Sequence, residues 1–181
     1  MDKTPPAVVP AFSSQIDIFL RPGEYFVGDE SHRIRTLLGS CVSVTLWSPQ
    51  RRVGAMSHFL LATRCHSGRP AAELDGRYGD EALHLMLGEL ARDDVRPAQC
   101  QAKIFGGGEM FSTRTSVGHK TIGRRNGEAA REMLQSRGIQ VVSESLFGRG
   151  HRQIIFDVHS GNVWSRQISP KANAATLFAS F

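Results

Sequence analysis

Cys41 and His58 are side chains whose types and spacing suit nucleophilic chemistry. Cys41 closes the small, polar stretch Gly39-Ser40-Cys41, and the apolar, β-like run VSVTLW follows at once. His58 lies in a second strand-like run, RVGAMSHFLL, after the turn signal SPQR. A four-residue SPQR loop pairs Trp47 with Arg52 and, carried along the ladder, sets Cys41 opposite His58. Directly opposed side chains have Cβ atoms about 4.5–5.5 Å apart, within reach of a thiol–imidazole hydrogen bond. A loop one residue longer puts the two on opposite faces.

An imidazole beside a thiol favours the thiolate, which is the nucleophile, and can later protonate a departing amine. Gly39 and Ser40 leave the backbone open to close substrate approach. Backbone N–H groups at Ser40 or Cys41 can hold a developing oxyanion. Thr36, close by in sequence, carries a hydroxyl that can orient the histidine. The residues alone leave two readings open: a reactive pair, or a small buried cysteine and a satisfied core histidine.

Alternating strands and helices must position this pair. QIDIFL and EYFV read as short strands around Pro22-Gly23, CVSVTLW and RVGAMSHFLL as longer ones. DEALHLMLGEL reads as a helix capped by Asp80, with Leu83, Met86, Leu87 and Leu90 on one stripe. CQAKIF is a strand entering the tight turn Gly106-Gly107-Gly108. Asn126 is expected to cap a second helix, with Ala129, Ala130, Met133 and Leu134 inward and Gly138 at its end. IQVVSES, RQIIFDV and NVWSRQI close the series as strands, the last two joined by a turn at His159-Ser160-Gly161. The expected fold is α/β, a layered sandwich of mixed β-sheet with two main helices. The expected organisation is a flexible N-terminal tail over 1–14, one domain over 15–168 and a C-terminal arm, short helix or extended, over 169–181.

The chain has 181 residues, enough for one domain with a real core, and 40% hydrophobic and 22% charged residues argue against disorder. No apolar run reaches membrane-spanning length, and the proline-broken N-terminus has no secretory core, so a cytoplasmic protein without membrane insertion is expected. Three cysteines with no CxxC fit reduced thiols better than a disulfide framework. Cys65-His66 invites a metal reading, but the spacing to Cys41 and His58 is not that of a zinc site. The net charge of +5 comes with no nucleic-acid-binding motif, so a solvated basic face or an acidic protein partner is expected.

The stretch TLLGSCVSVTLWSPQRRVGAMSHFLL, followed in order by RYGDEALHLMLGEL, KIFGGGEMF, IGRRN and GRGHRQIIFDVHSGNV, resembles the CheD family of chemoreceptor glutamine deamidases. The resemblance covers about residues 22–168. It implies hydrolysis of receptor glutamine side chains to glutamate, with Cys41 as nucleophile through a thioester, His58 as its histidine, and Thr36 as the assisting threonine. It implies a fold similar to that of glutamine-deamidating toxins and no metal or organic cofactor. The implied partners are the cytoplasmic domains of methyl-accepting chemoreceptors and a CheC-type phosphatase. A non-catalytic adaptor of the same fold, binding that phosphatase or a receptor, is the competing expectation. Ala62, the segment Ser145-Leu146-Phe147-Gly148 and His151 depart from the family's pattern, away from the proposed catalytic residues.

Overall fold

In the computed structural model, which describes residues 15–64, 73–110, 120–168 and 179–180, ten strands form two five-stranded sheets. The strands are β1 (Ile16–Phe19), β2 (Tyr25–Asp29), β3 (His32–Leu38), β4 (Val42–Ser48), β5 (Val53–Ser57), β6 (Gln101–Gly106), β7 (Gln140–Leu146), β8 (His151–Asp157), β9 (Val163–Ile168) and β10 (Ala179–Ser180). The order β1-β3-β8-β9-β10 makes one sheet, and β2-β5-β4-β6-β7 makes the other. Two helices, α1 (Gly79–Arg92) and α2 (Ile122–Ser136), cover the outer face of the second sheet. The layers are thus helices, sheet, sheet, and the expected mixed sheet is split in two.

Strand β4 shows why the layers separate. Val42, Val44 and Leu46 pack with Leu83, Met86, Leu90, Ala130 and Leu134 of the helices. Cys41 and Trp47, of opposite parity, pack between the sheets with Ile34, Leu38, Phe105, Ile154 and Phe156. A strand covered on both faces needs a nearly continuous apolar run, which VSVTLW supplies. Strand β3 faces this inner layer with Ile34, Thr36 and Leu38, half-buries Arg33 and exposes Arg35 and Leu37, so it alternates in and out.

Several local expectations need correction. Ser48 faces Val53 and Trp47 faces Gly54, so the β4–β5 loop is Pro49–Arg52, with Arg52 at a φ of 51°. The register is shifted by two residues from the one expected. The N-cap of α1 is Tyr78 without a side-chain cap; Asp80 sits in the first turn, where its carboxylate accepts from the Glu81 N–H. Helix α2 starts after Thr121, whose hydroxyl accepts from the Arg124 N–H at 3.3 Å, so Asn126 lies inside the helix rather than at its cap. Gly138 follows α2 with a φ of 65°, as expected. Of the C-terminal arm, residues 179–180 are described, and they pair with β9. The expected tail over 1–14 and the Cys65-His66 pair lie outside the described residues.

Candidate active site

The chain leaves the first sheet at Leu38 and enters the second at Val42, so Gly39-Ser40-Cys41 is the crossing between sheets. The expected direct opposition of Cys41 and His58 is corrected by the two-residue shift. Val42 bridges Phe59, with N–H···O distances of 3.1 and 3.0 Å in the two directions. Continued by one step, that register sets Ser43 opposite His58 and Cys41 one diagonal step away. An even shift preserves the face, so both side chains still belong to the layer between the sheets. Among the described hydrogen bonds none joins Cys41 Sγ to His58 in this resting arrangement.

His58 is fixed from three sides. Its N–H donates to Glu24 O at 2.9 Å, and its carbonyl accepts from Gly23 N–H at 2.7 Å. Its Nδ1 lies 2.8 Å from the hydroxyl of Thr36, which reaches across from the opposite sheet. That hydroxyl donates to Leu20 O at 2.7 Å, so it presents a lone pair to the imidazole. The network therefore assigns the hydrogen to Nδ1 and leaves Nε2 as the free base. Thr36 and His58 are buried, at 1% and 2% exposure, whereas Cys41 is half-buried.

Burial sets the resting protonation. It pushes the His58 imidazole below its ordinary pKa of 6.5, against the raising effects of the Leu20 carbonyl and Glu24. It pushes the Cys41 thiol above 9.0, against the lowering effect of the residue's own N–H. At neutral pH the resting pair is a neutral thiol and a neutral imidazole.

Three consecutive carbonyls of the crossing are held. Gly108 N–H donates to Gly39 O and Gly107 N–H to Cys41 O, each at 2.8 Å. The buried Asn126 side chain donates to Ser40 O at 3.3 Å and to Leu60 O at 2.7 Å. The glycine turn is needed for this approach: Gly106 has a φ of 112°, and a Cβ there would lie 2.3 Å from Cys41 O. The structure thus brings Thr36, His58, Gly39, Ser40 and Cys41 to one end of the layer between the sheets. Sequence reasoning missed the roles of Leu20, Asn126 and the glycine N–H groups. A signal for Asn126 exists: it falls four residues before Ala130 and eight before Leu134, a polar residue on the apolar stripe of α2.

A cavity of about 540 Å³ is lined among others by Gly107, Glu109, Lys120, Arg124, Phe147 and Arg149. Thr36, Cys41 and His58 do not line it. Among the described residues no cluster of three or more His, Cys, Asp or Glu side chains could hold a metal ion, and no helix is long and apolar enough to cross a membrane.

The family described as "CheD chemotactic sensory transduction" matches residues 60–167. The chain is 63% identical over 155 residues to the protein named "Probable chemoreceptor glutamine deamidase CheD 2" of Albidiferax ferrireducens, covering 86% of this chain and 89% of that one. This chain belongs to the CheD family. A second CheD, "Probable chemoreceptor glutamine deamidase CheD 1" of Chromobacterium violaceum, is 44% identical over 92% of this chain and 85% of its own length. A Bacillus licheniformis protein titled as hypothetical protein YfiH overlaps 67% of this chain and 49% of its own, at 16% identity and a TM-score of 0.41.

The hydrogen-bond network around His58 makes a prediction for this CheD. Thr36→Val keeps the volume and removes the hydroxyl from Nδ1. Leu20 O remains as an acceptor, so the expected loss in kcat is moderate, roughly tenfold, with KM unchanged. Steady-state deamidation kinetics measure it; an unchanged kcat would remove Thr36 from the site.

Proposed function

We propose that this CheD chain hydrolyses glutamine side chains on the cytoplasmic domains of methyl-accepting chemoreceptors to glutamate, with Cys41 as the nucleophile. The observation that carries the reading is the Thr36–His58 hydrogen bond between the sheets, which leaves Nε2 free in the layer that holds Cys41. The names of the related proteins, chemoreceptor glutamine deamidases, support the substrate.

In this mechanism Nε2 takes the proton of the Cys41 thiol, and the thiolate attacks the carboxamide carbon. The negative charge moves to the amide oxygen, where the Ser40 and Cys41 N–H groups stabilise it, with Gly39 leaving room for the substrate. The imidazolium gives its proton to the nitrogen as the C–N bond breaks, and ammonia leaves. A thioester joins substrate to Sγ. Water, deprotonated by Nε2, adds to that carbon, and the C–S bond breaks to release glutamate and restore the thiol. Each turnover consumes one water and forms one ammonia, and no step calls for a metal or organic cofactor.

Chemoreceptor cytoplasmic domains as substrate support a cytoplasmic location for the reaction. The family resemblance also supports binding of a CheC-type phosphatase. The test of the reaction is mass spectrometry of a receptor cytoplasmic fragment after incubation with the protein. A gain of about 1 Da at individual glutamines is expected, the change from amide to acid. No gain on any native receptor fragment would overturn the reading and leave the adaptor function.

A further inference from the structure

The two amides next to the nucleophile are oriented by the carbonyls behind them. In a trans peptide the C=O and the following N–H point in opposite directions. Pinning one therefore aims the other. The Ser40–Cys41 peptide is pinned through Ser40 O by Asn126 Nδ2 at 3.3 Å, and the same amide donates to Leu60 O at 2.7 Å. Asn126 belongs to α2, which packs on the helix side of the second sheet, whereas Cys41 belongs to the layer between the sheets. The Cys41 N–H is thereby directed away from α2, towards the side of its own thiol. Its influence on its own sulfur agrees with that direction. Among the described hydrogen bonds, no backbone carbonyl accepts from Ser40 N–H or Cys41 N–H.

Asn126 is itself an expensive choice. It is 2% exposed on the buried face of α2, among Gly123, Gly127, Ala130 and Leu134. A buried amide is tolerated only when hydrogen-bonded, and an apolar residue would serve packing alone. Both its side-chain hydrogen bonds go to the backbone of the two segments that carry the reactive residues: Ser40, just before Cys41, and Leu60, two residues after His58.

We infer that Asn126 is a positioning residue of the oxyanion hole: by holding Ser40 O, it aims the Cys41 N–H at the oxygen of the attacked amide. The inference rests on the deamidase reading. It gives the amide of α2 a role in stabilising charge that develops on the substrate, without contact with the substrate.

The decisive comparison uses two reactions of Cys41. Glutamine deamidation needs both a nucleophilic sulfur and an oxyanion hole. Alkylation by iodoacetamide needs the sulfur alone, because displacement of iodide creates no oxyanion. In Asn126→Asp, which matches the shape but cannot donate when ionised, and in Asn126→Ala, kcat is expected to fall on the order of 10²-fold, as for loss of an oxyanion donor. KM and the alkylation rate are expected to stay within about twofold of wild type. Deamidation at the wild-type rate in both variants would overturn the inference. A parallel loss of deamidation and alkylation would overturn it too, since that pattern belongs to a site that has merely lost its shape. Cys41→Ala run alongside separates the levels: activity retained there contradicts the underlying deamidase mechanism, whereas normal activity confined to the Asn126 variants contradicts only the role of the asparagine.

Discussion

Replacing His58 by alanine is expected to lower kcat for glutamine deamidation by about 10³–10⁴-fold, because the proposed mechanism uses one imidazole as base for the thiol, acid for ammonia and base for water. The effect should exceed that of Thr36→Val, which leaves Nε2 in place. The pH dependence of the wild type should report the same group. Burial disfavours both charged forms, so His58 stays neutral below its ordinary 6.5 and Cys41 stays protonated beyond 9.0. The productive protonation state has one proton shared between the pair. It is lost when a second proton arrives at acid pH and when the shared one leaves at alkaline pH. The profile of kcat/KM is therefore a broad bell, with its acid limb below pH 6.5 and its alkaline limb above pH 9.0. The two limbs belong to the coupled pair rather than to either residue. An acid limb centred above pH 7 would contradict a buried neutral histidine.

Arg152→Met is expected to destabilise the fold by about 3 kcal/mol, through lost hydrogen bonds to buried backbone carbonyls rather than through lost volume. Arg152 is 5% exposed on β8, opposite Leu38, and burial pulls its pKa down. Its Nη1 donates to Gly106 O at 3.0 Å and Ser145 O at 2.5 Å, and its Nη2 to Phe147 O at 3.0 Å and Gln167 Oε1 at 3.2 Å. Methionine fills much of the space but returns none of these bonds. Gly106 starts the glycine turn whose N–H groups hold Gly39 O and Cys41 O, so activity should fall below the loss expected from unfolding alone. Urea unfolding beside deamidation kinetics measures both; a stability within about 1 kcal/mol of wild type would show that water replaces the guanidinium.

Much of this arrangement is legible in the residues, for identifiable reasons. The stripe Leu83, Met86, Leu87 and Leu90 has the period of a helix and forms one. The apolar run of β4 announces a strand covered on both faces. The shared face of Cys41 and His58 survives an error in register, because side-chain direction has period two and the error was two residues. Other features depend on tertiary contacts. Strand β3 hides behind Arg33 and Arg35, which point outward while Ile34, Thr36 and Leu38 point in. Composition cannot say that β3 and β4 belong to different sheets, so the reach of Thr36 across the layer is visible only in the fold. Asn126 reads as a cap when considered with its neighbours in sequence; its partners Ser40 and Leu60 lie 86 and 66 residues away.

The central claim is that Cys41 carries the substrate as a thioester which water then opens. The direct measurement is deamidation of a receptor cytoplasmic fragment in ¹⁸O-labelled water, wild type beside Cys41→Ala, read by mass spectrometry. The wild type should place one solvent oxygen in each new carboxylate, a gain of about 3 Da per site, and Cys41→Ala should leave the glutamines unchanged. An equal gain with Cys41→Ala would contradict the assignment of Cys41 as the nucleophile.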